Sequence, residues 1–125
     1  MQRVVTVLAV VLGLLLLLIG VRWLVDPAGA AEALGASLLT GTGLTTQIGD
    51  SAGFFLGGGA MMVLGALRKN ATLLVAVGLI MATVAISRVI AATFHGGDMT
   101  ADAIAIEVVM MLVALTAARG IRAGG

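Results

Sequence analysis

The chain has 125 residues, of which 61% are hydrophobic and only 10% charged, and its formal net charge is +1. That balance lies outside the range of ordinary soluble domains, leaves no length for a catalytic domain beside a bundle of spans, and offers no basic surface for nucleic acid. It contains no cysteine, which excludes disulfide scaffolds, thiol redox chemistry and cysteine-ligated metals. The composition predicts an all-α fold: one polytopic membrane domain over 1–125, built as four transmembrane helices in an up-down bundle, with the lipid bilayer as its partner.

The first span is expected at about 4–25. Val4 to Val21 is an uncharged run of 18 residues, nearly long enough at ~1.5 Å per residue to cross a ~30 Å hydrocarbon core. Arg3 precedes it, and Arg22 with Trp23 follows, the pattern expected where a guanidinium snorkels and an indole settles at the interface. The basic start, the apolar run and Ala28-Gly29-Ala30 also imitate a cleavable signal peptide, although the run exceeds the usual length of a signal core.

Asp26-Pro27 reads as a helix start, aspartate as N-cap and proline at the first helical position, with Gly35 as the stop. The resulting short helix, 27–34, carries a narrow stripe of Ala28, Ala31 and Leu34 opposite Glu32 and is expected to lie along the membrane surface. Ala36 to Gly49 is rich in glycine, threonine and serine without a persistent period, so it reads as loop. The whole connection, 26–50, is thus an expected outer loop, long enough to suggest function. The second span is expected over 51–67, with Asp50 as its N-cap, and Arg68-Lys69-Asn70 closes it. The third, 71–94, carries Ser87 and Arg88 in its last third. After His95-Gly96-Gly97-Asp98 the fourth runs over about 100–118, with Asp102 and Glu107 in its first half and Arg119 and Arg122 beyond it.

In this four-span arrangement Arg3, Arg68, Lys69, Arg119 and Arg122 all fall on one side, which the positive-inside rule makes cytoplasmic. The expected location is the cytoplasmic (inner) membrane with both termini inside. Asp26, Glu32, His95 and Asp98 fall on the opposite side.

The informative residues are charges that no loop accommodates. Arg88 and Glu107 each stand about two turns inside their spans, equally far from the turn centre between Gly97 and Asp98, so an antiparallel hairpin sets them at one depth. A lone charge deep in a bilayer costs at least ~2.5–3.5 kcal/mol, so an intramembrane Arg88–Glu107 ion pair is expected. It serves either to fix the register of two helices or to hold a polar ligand or proton. Arg22 and Asp50 echo that pair in the first hairpin, a faint sign of a parallel repeat. His95 falls near the face of Arg88. The candidate ligand-binding residues are Arg22, Asp50, Arg88, His95 and Glu107.

No catalytic residue, metal site or cofactor is expected: one histidine makes a poor metal site, and neither a nucleophile triad nor a phosphate loop is present. Met61-Met62 and Met110-Met111 read as packing residues and not as copper ligands. Gly53 and Gly57 form a small-xxx-small face for helix packing, with Gly13 and Gly20 as its counterpart on the first span. Such faces serve contacts within the chain, a homo-oligomer, or a larger membrane complex.

Arg22-Trp23-Leu24-Val25-Asp26-Pro27, Thr46-Gln47-Ile48-Gly49-Asp50 with Phe54-Phe55, the helix end from Arg88 to His95, and Glu107 together resemble a family of small bacterial four-helix membrane proteins. That family is a domain of unknown function, DoxX-like in size and layout. The resemblance spans nearly the full chain; it implies the fold and the importance of Asp50, Arg88, His95 and Glu107, and no substrate. A DoxX-like redox role would also lack any cysteine here. The residues therefore point first to a non-enzymatic structural or accessory subunit of a membrane complex, and second to a binding or transport module for a small polar or lipid-like ligand at the outer-leaflet polar cluster.

Overall fold

The computed structural model describes residues 1–124. Among these there is no strand, and five helices follow in order: α1 (Gln2–Val25), α2 (Pro27–Ala33), α3 (Gly41–Leu67), α4 (Ala71–Phe94) and α5 (Ala101–Arg122). The four long helices are each long and apolar enough to cross a membrane, and α2 sits between the first and second of them. Many of their apolar side chains point outward, Leu14, Leu18, Leu79, Ile86, Val109 and Leu112 among them. This is the surface a helical bundle presents when lipid is its solvent. The fold is a multi-pass, all-α membrane bundle.

The helices form two antiparallel pairs. α1 packs on α3 and α4 on α5, and the pairs close on each other through α3–α4 and α1–α5. Both termini lie at one end with the α3–α4 turn, where Gln2 Nε2 donates to the Ala117 carbonyl at 3.3 Å. At that turn Lys69 takes a positive φ of 53°, and the Asn70 side chain caps α4 by accepting from the amides of Thr72 and Leu73. The core runs down the bundle axis through Ala9, Leu16, Met62, Leu74, Val77, Met81, Met110 and Ala114. The methionines fill this space as flexible apolar side chains do.

Glycine sets the closest approach, between α1 and α3. A Cβ on Gly59 would stand 2.7 Å from the Gly13 carbonyl oxygen, and one on Gly20 would stand 2.9 Å from the Leu56 amide nitrogen. Backbone thus meets backbone, and contact rests on dispersion over closely apposed surfaces. Gly13 and Gly20 occupy the expected face of α1. Their partner surface on α3 is Leu56, Gly59 and Val63, displacing the expected Gly53 and Gly57: both of those are exposed, and a Cβ added at either would meet nothing within 4 Å among the described residues. The buried small residues of α3 include Ala52, Gly59 and Ala66, seven apart, and a heptad spacing returns to one face where the spacing of Gly53 and Gly57 selects its neighbour.

Further expectations are corrected. The stretch 36–49 is mostly helix: α3 starts at Gly41, so the connection contracts to residues 34–40 and the expected outer loop 26–50 is largely structured. Tertiary contacts override the weak local propensity. Gln47 accepts from the Leu39 amide at 2.9 Å and donates to the Ser37 carbonyl at 3.1 Å, while Ile48 packs on the cluster of Trp23, Ala30, Ala31 and Ala52. The N-cap is therefore Thr40, and Asp50 lies well inside the helix. Trp23 is 1% exposed, packed against Ala30 and Ala31 of α2. Finally, α2 starts as expected, with Asp26 accepting from the Gly29 amide, but it buries Ala30 and Ala31 and leaves Ala28 and Leu34 exposed.

Candidate functional site

Two turns of regular helix carry Arg88 inward from the end of α4, and two turns carry Glu107 inward from the start of α5. Arg88 Nε donates to Glu107 Oε1 at 2.7 Å. Its Nη1 reaches the hydroxyl of Thr100, the N-cap of α5, at 3.3 Å. A charge-assisted bond as short as the one to Glu107, between groups largely withdrawn from solvent, is the strong kind. Glu107 is 8% exposed, and the second oxygen, Oε2, is buried without a hydrogen-bond partner among the described residues.

That pair forms part of the wall of a cavity of about 420 Å³ in the half of the bundle that carries α2. All four long helices line it. α3 gives Asp50, Ser51, Phe54 and Phe55, α5 gives Ala103, Ile106, Glu107 and Met110, α4 gives Met81, Val84 and Arg88, and α1 gives Leu16 and Ile19; Leu34, just past α2, completes the wall. Phe54 and Phe55 meet edge to face, ring centroids 4.9 Å apart, a preferred aromatic geometry. The walls are apolar except for one ring of polar groups: Asp50, Ser51, Arg88 and Glu107. The volume and the mix of apolar walls with few polar groups are those of small-molecule sites, which run to ~300–1,000 Å³.

Of the five candidate ligand-binding residues, the structure brings three together. Asp50, Arg88 and Glu107 share the cavity. Arg22 is outside it: the guanidinium pairs with Asp26 one turn away, Nε to Oδ2 at 3.6 Å, both side chains half exposed. The first hairpin consequently does not repeat the Arg88–Glu107 arrangement. His95 is exposed at the end of α4 as its C-cap and does not line the cavity. No three metal-ligating side chains converge among the described residues. Ser51, Thr100 and the aromatic wall escaped the reading of the sequence. One signal was available for Asp50: it is as far before Lys69 as Arg88 is after it, so the α3–α4 turn sets the two at one level just as the α4–α5 turn sets Arg88 level with Glu107.

Fold and site together define a class: a four-span helical membrane protein whose helices line a largely apolar open cleft with a few polar groups. Compared with protein-family models, with curated proteins and with solved structures, the chain finds no match.

Proposed function

We propose that the protein is a membrane-embedded binding module, non-enzymatic, that takes a small lipid-like molecule into the cavity between its four spans. The observation that carries this reading is the cavity wall itself: four helices contribute apolar side chains around the polar groups of Asp50, Ser51, Arg88 and Glu107. The cleft of about 420 Å³ beside the ion pair offers room for a bound molecule that a pair fixing register alone does not require. The apolar body of the ligand lies against Phe54, Phe55, Ile106 and Met110, and its polar end faces Asp50, Ser51, Arg88 and Glu107.

The basic residues Arg3, Arg68, Lys69, Arg119 and Arg122 at the end with both termini orient that end to the cytoplasm of the inner membrane by the positive-inside rule. The cavity then belongs to the outer half of the bilayer. The cysteine-free chain makes this testable with single cysteines at Gly35 and Gly124: a membrane-impermeant maleimide labels the first and spares the second in intact cells, and the reverse pattern refutes the orientation.

A second reading, an accessory subunit of a homo-oligomer or larger complex, is favoured by one observation. Gly49, Gly53 and Gly57 form an exposed stripe along α3, where an added Cβ would meet nothing within 4 Å among the described residues, a surface suited to another helix.

The binding reading is tested by extracting the protein in polymer-bounded native lipid discs and identifying the co-purified small molecules by mass spectrometry. One amphipathic species enriched over bulk lipid in the wild type, and lost in the cavity-filling variant Ala103→Phe, is the expected result. Identical lipid profiles for both proteins refute it.

A further inference from the structure

The polar ring of the cavity is unbalanced in sign and in hydrogen-bonding capacity. It holds two carboxylates, Asp50 and Glu107, and one guanidinium, Arg88. Arg88 is committed to Glu107 and Thr100 through Nε and Nη1. Asp50 has neither an ion-pair nor a hydrogen-bond partner among the described residues, and the Oε2 of Glu107, in a residue only 8% exposed, has none. With the carboxylates ionised the ring carries a formal excess of one negative charge, and its one cation is already paired.

A ligand completes such a ring by bringing what it lacks. A phosphate or carboxylate would meet two carboxylates and a single arginine already paired with one of them, so the charge of the ring disfavours it. A hydroxyl brings a single donor. An ammonium brings the missing positive charge and can donate to Asp50, which has no partner among the described residues. Like charges brought into a poorly hydrated site are disfavoured for the same reason that opposite ones are favoured.

We propose that the ligand of the cavity is an amphipathic amine: an apolar body seated against Phe54, Phe55 and Ile106, ending in an ammonium that donates to Asp50 beside the Arg88–Glu107 pair. The inference rests on the binding reading above and specifies its chemistry. Two sources carry this group, the headgroup of an aminophospholipid and a free long-chain amine.

The test uses the full chain reconstituted in phosphatidylcholine nanodiscs and three photoactivatable decyl probes, identical except for ammonium, hydroxyl or sulfate ends, with labelled residues mapped by mass spectrometry. The ammonium probe is expected to label the segments 50–55 and 103–110 at concentrations about twofold to fivefold below the hydroxyl probe, the worth of one partly solvated charge pair, with the sulfate probe weakest. Asp50 is exposed and unpartnered, so Asp50→Asn leaves packing intact; it is expected to bring ammonium labelling down to the hydroxyl level. Competition then separates the sources: unlabelled phosphatidylethanolamine displaces the probe if the ligand is a lipid headgroup, decylamine alone does so if it is a free amine, and displacement by neither overturns the proposal. Equal labelling by all three ends, or preference for sulfate, overturns the amine while leaving a cavity binder. Failure of every probe to label the cavity overturns the binding reading as well.

Discussion

Replacing Gly59 by alanine tests the close approach of α1 and α3 directly. The added Cβ would lie 2.7 Å from the Gly13 carbonyl oxygen, 2.9 Å from the Leu17 amide nitrogen and 2.9 Å from Leu17 Cγ, where ordinary contact begins at 3.4 Å. Two of these three atoms are backbone, so no rotamer change relieves them, and the helices must part by roughly half an ångström or more. Overpacking of this kind costs about 1–3 kcal/mol, and separating two apposed backbones also weakens the dispersion that holds a glycine interface. Gly57→Ala is the matched control, with open space at its Cβ position and a helix-propensity gain of up to ~1 kcal/mol. Both variants are measured by reversible unfolding in mixed micelles. Gly59→Ala is expected to lose about 1–3 kcal/mol while Gly57→Ala is neutral or more stable. Equal stability for the two, or the greater loss at Gly57, would show that the α1–α3 contact is not where the structure places it.

Other outcomes follow from single interactions. Arg88→Leu and Glu107→Leu should each destabilise, and the double variant should recover part of the loss, with a coupling of about 1–3 kcal/mol in a double-mutant cycle; additive losses would mean the pair contributes no mutual stabilisation. Thr100→Val removes only the 3.3 Å bond to Arg88 and should cost under about 1 kcal/mol by the same unfolding measurement. Gln47→Ala frees the Leu39 amide and the Ser37 carbonyl, so hydrogen exchange should accelerate over residues 35–45 with little change in global stability, and unchanged exchange there would argue against the anchor. Asn70→Ala removes the cap of α4 and should cost about 1 kcal/mol, seen as a lowered thermal midpoint.

The four spans were legible because membrane crossing demands long apolar runs, and such runs are written in consecutive residues. The level of Arg88 and Glu107 was legible for a related reason: a short turn makes depth a matter of counting. The start of α3 was not, since Gly41 to Gly49 has poor helix formers and owes its structure to the hydrogen bonds of Gln47 with the preceding turn and to Ile48 packing on Trp23, a contact between segments distant in sequence. The choice between Gly53 and Gly59 as the packing glycine depended on the rotation of α3 about its axis, which nearly uniform hydrophobicity does not encode. Arg22 was misplaced because its i, i+4 partner, Asp26, competes with any more distant one. The cavity itself arises from four helices at once and has no local signature.

The level of the polar ring has a consequence for the bilayer around it. Asp50 and Arg88 each lie seventeen residues from the α3–α4 turn, a height of about 25 Å at ~1.5 Å per residue. A thin hydrocarbon core of ~27 Å leaves the ring almost level with the headgroups, whereas one of ~33 Å submerges it by more than a full helical turn. Hydrophobic thickness therefore sets how much water reaches the two carboxylates, and membranes of different acyl-chain length present the same protein with a wet mouth or a dry one.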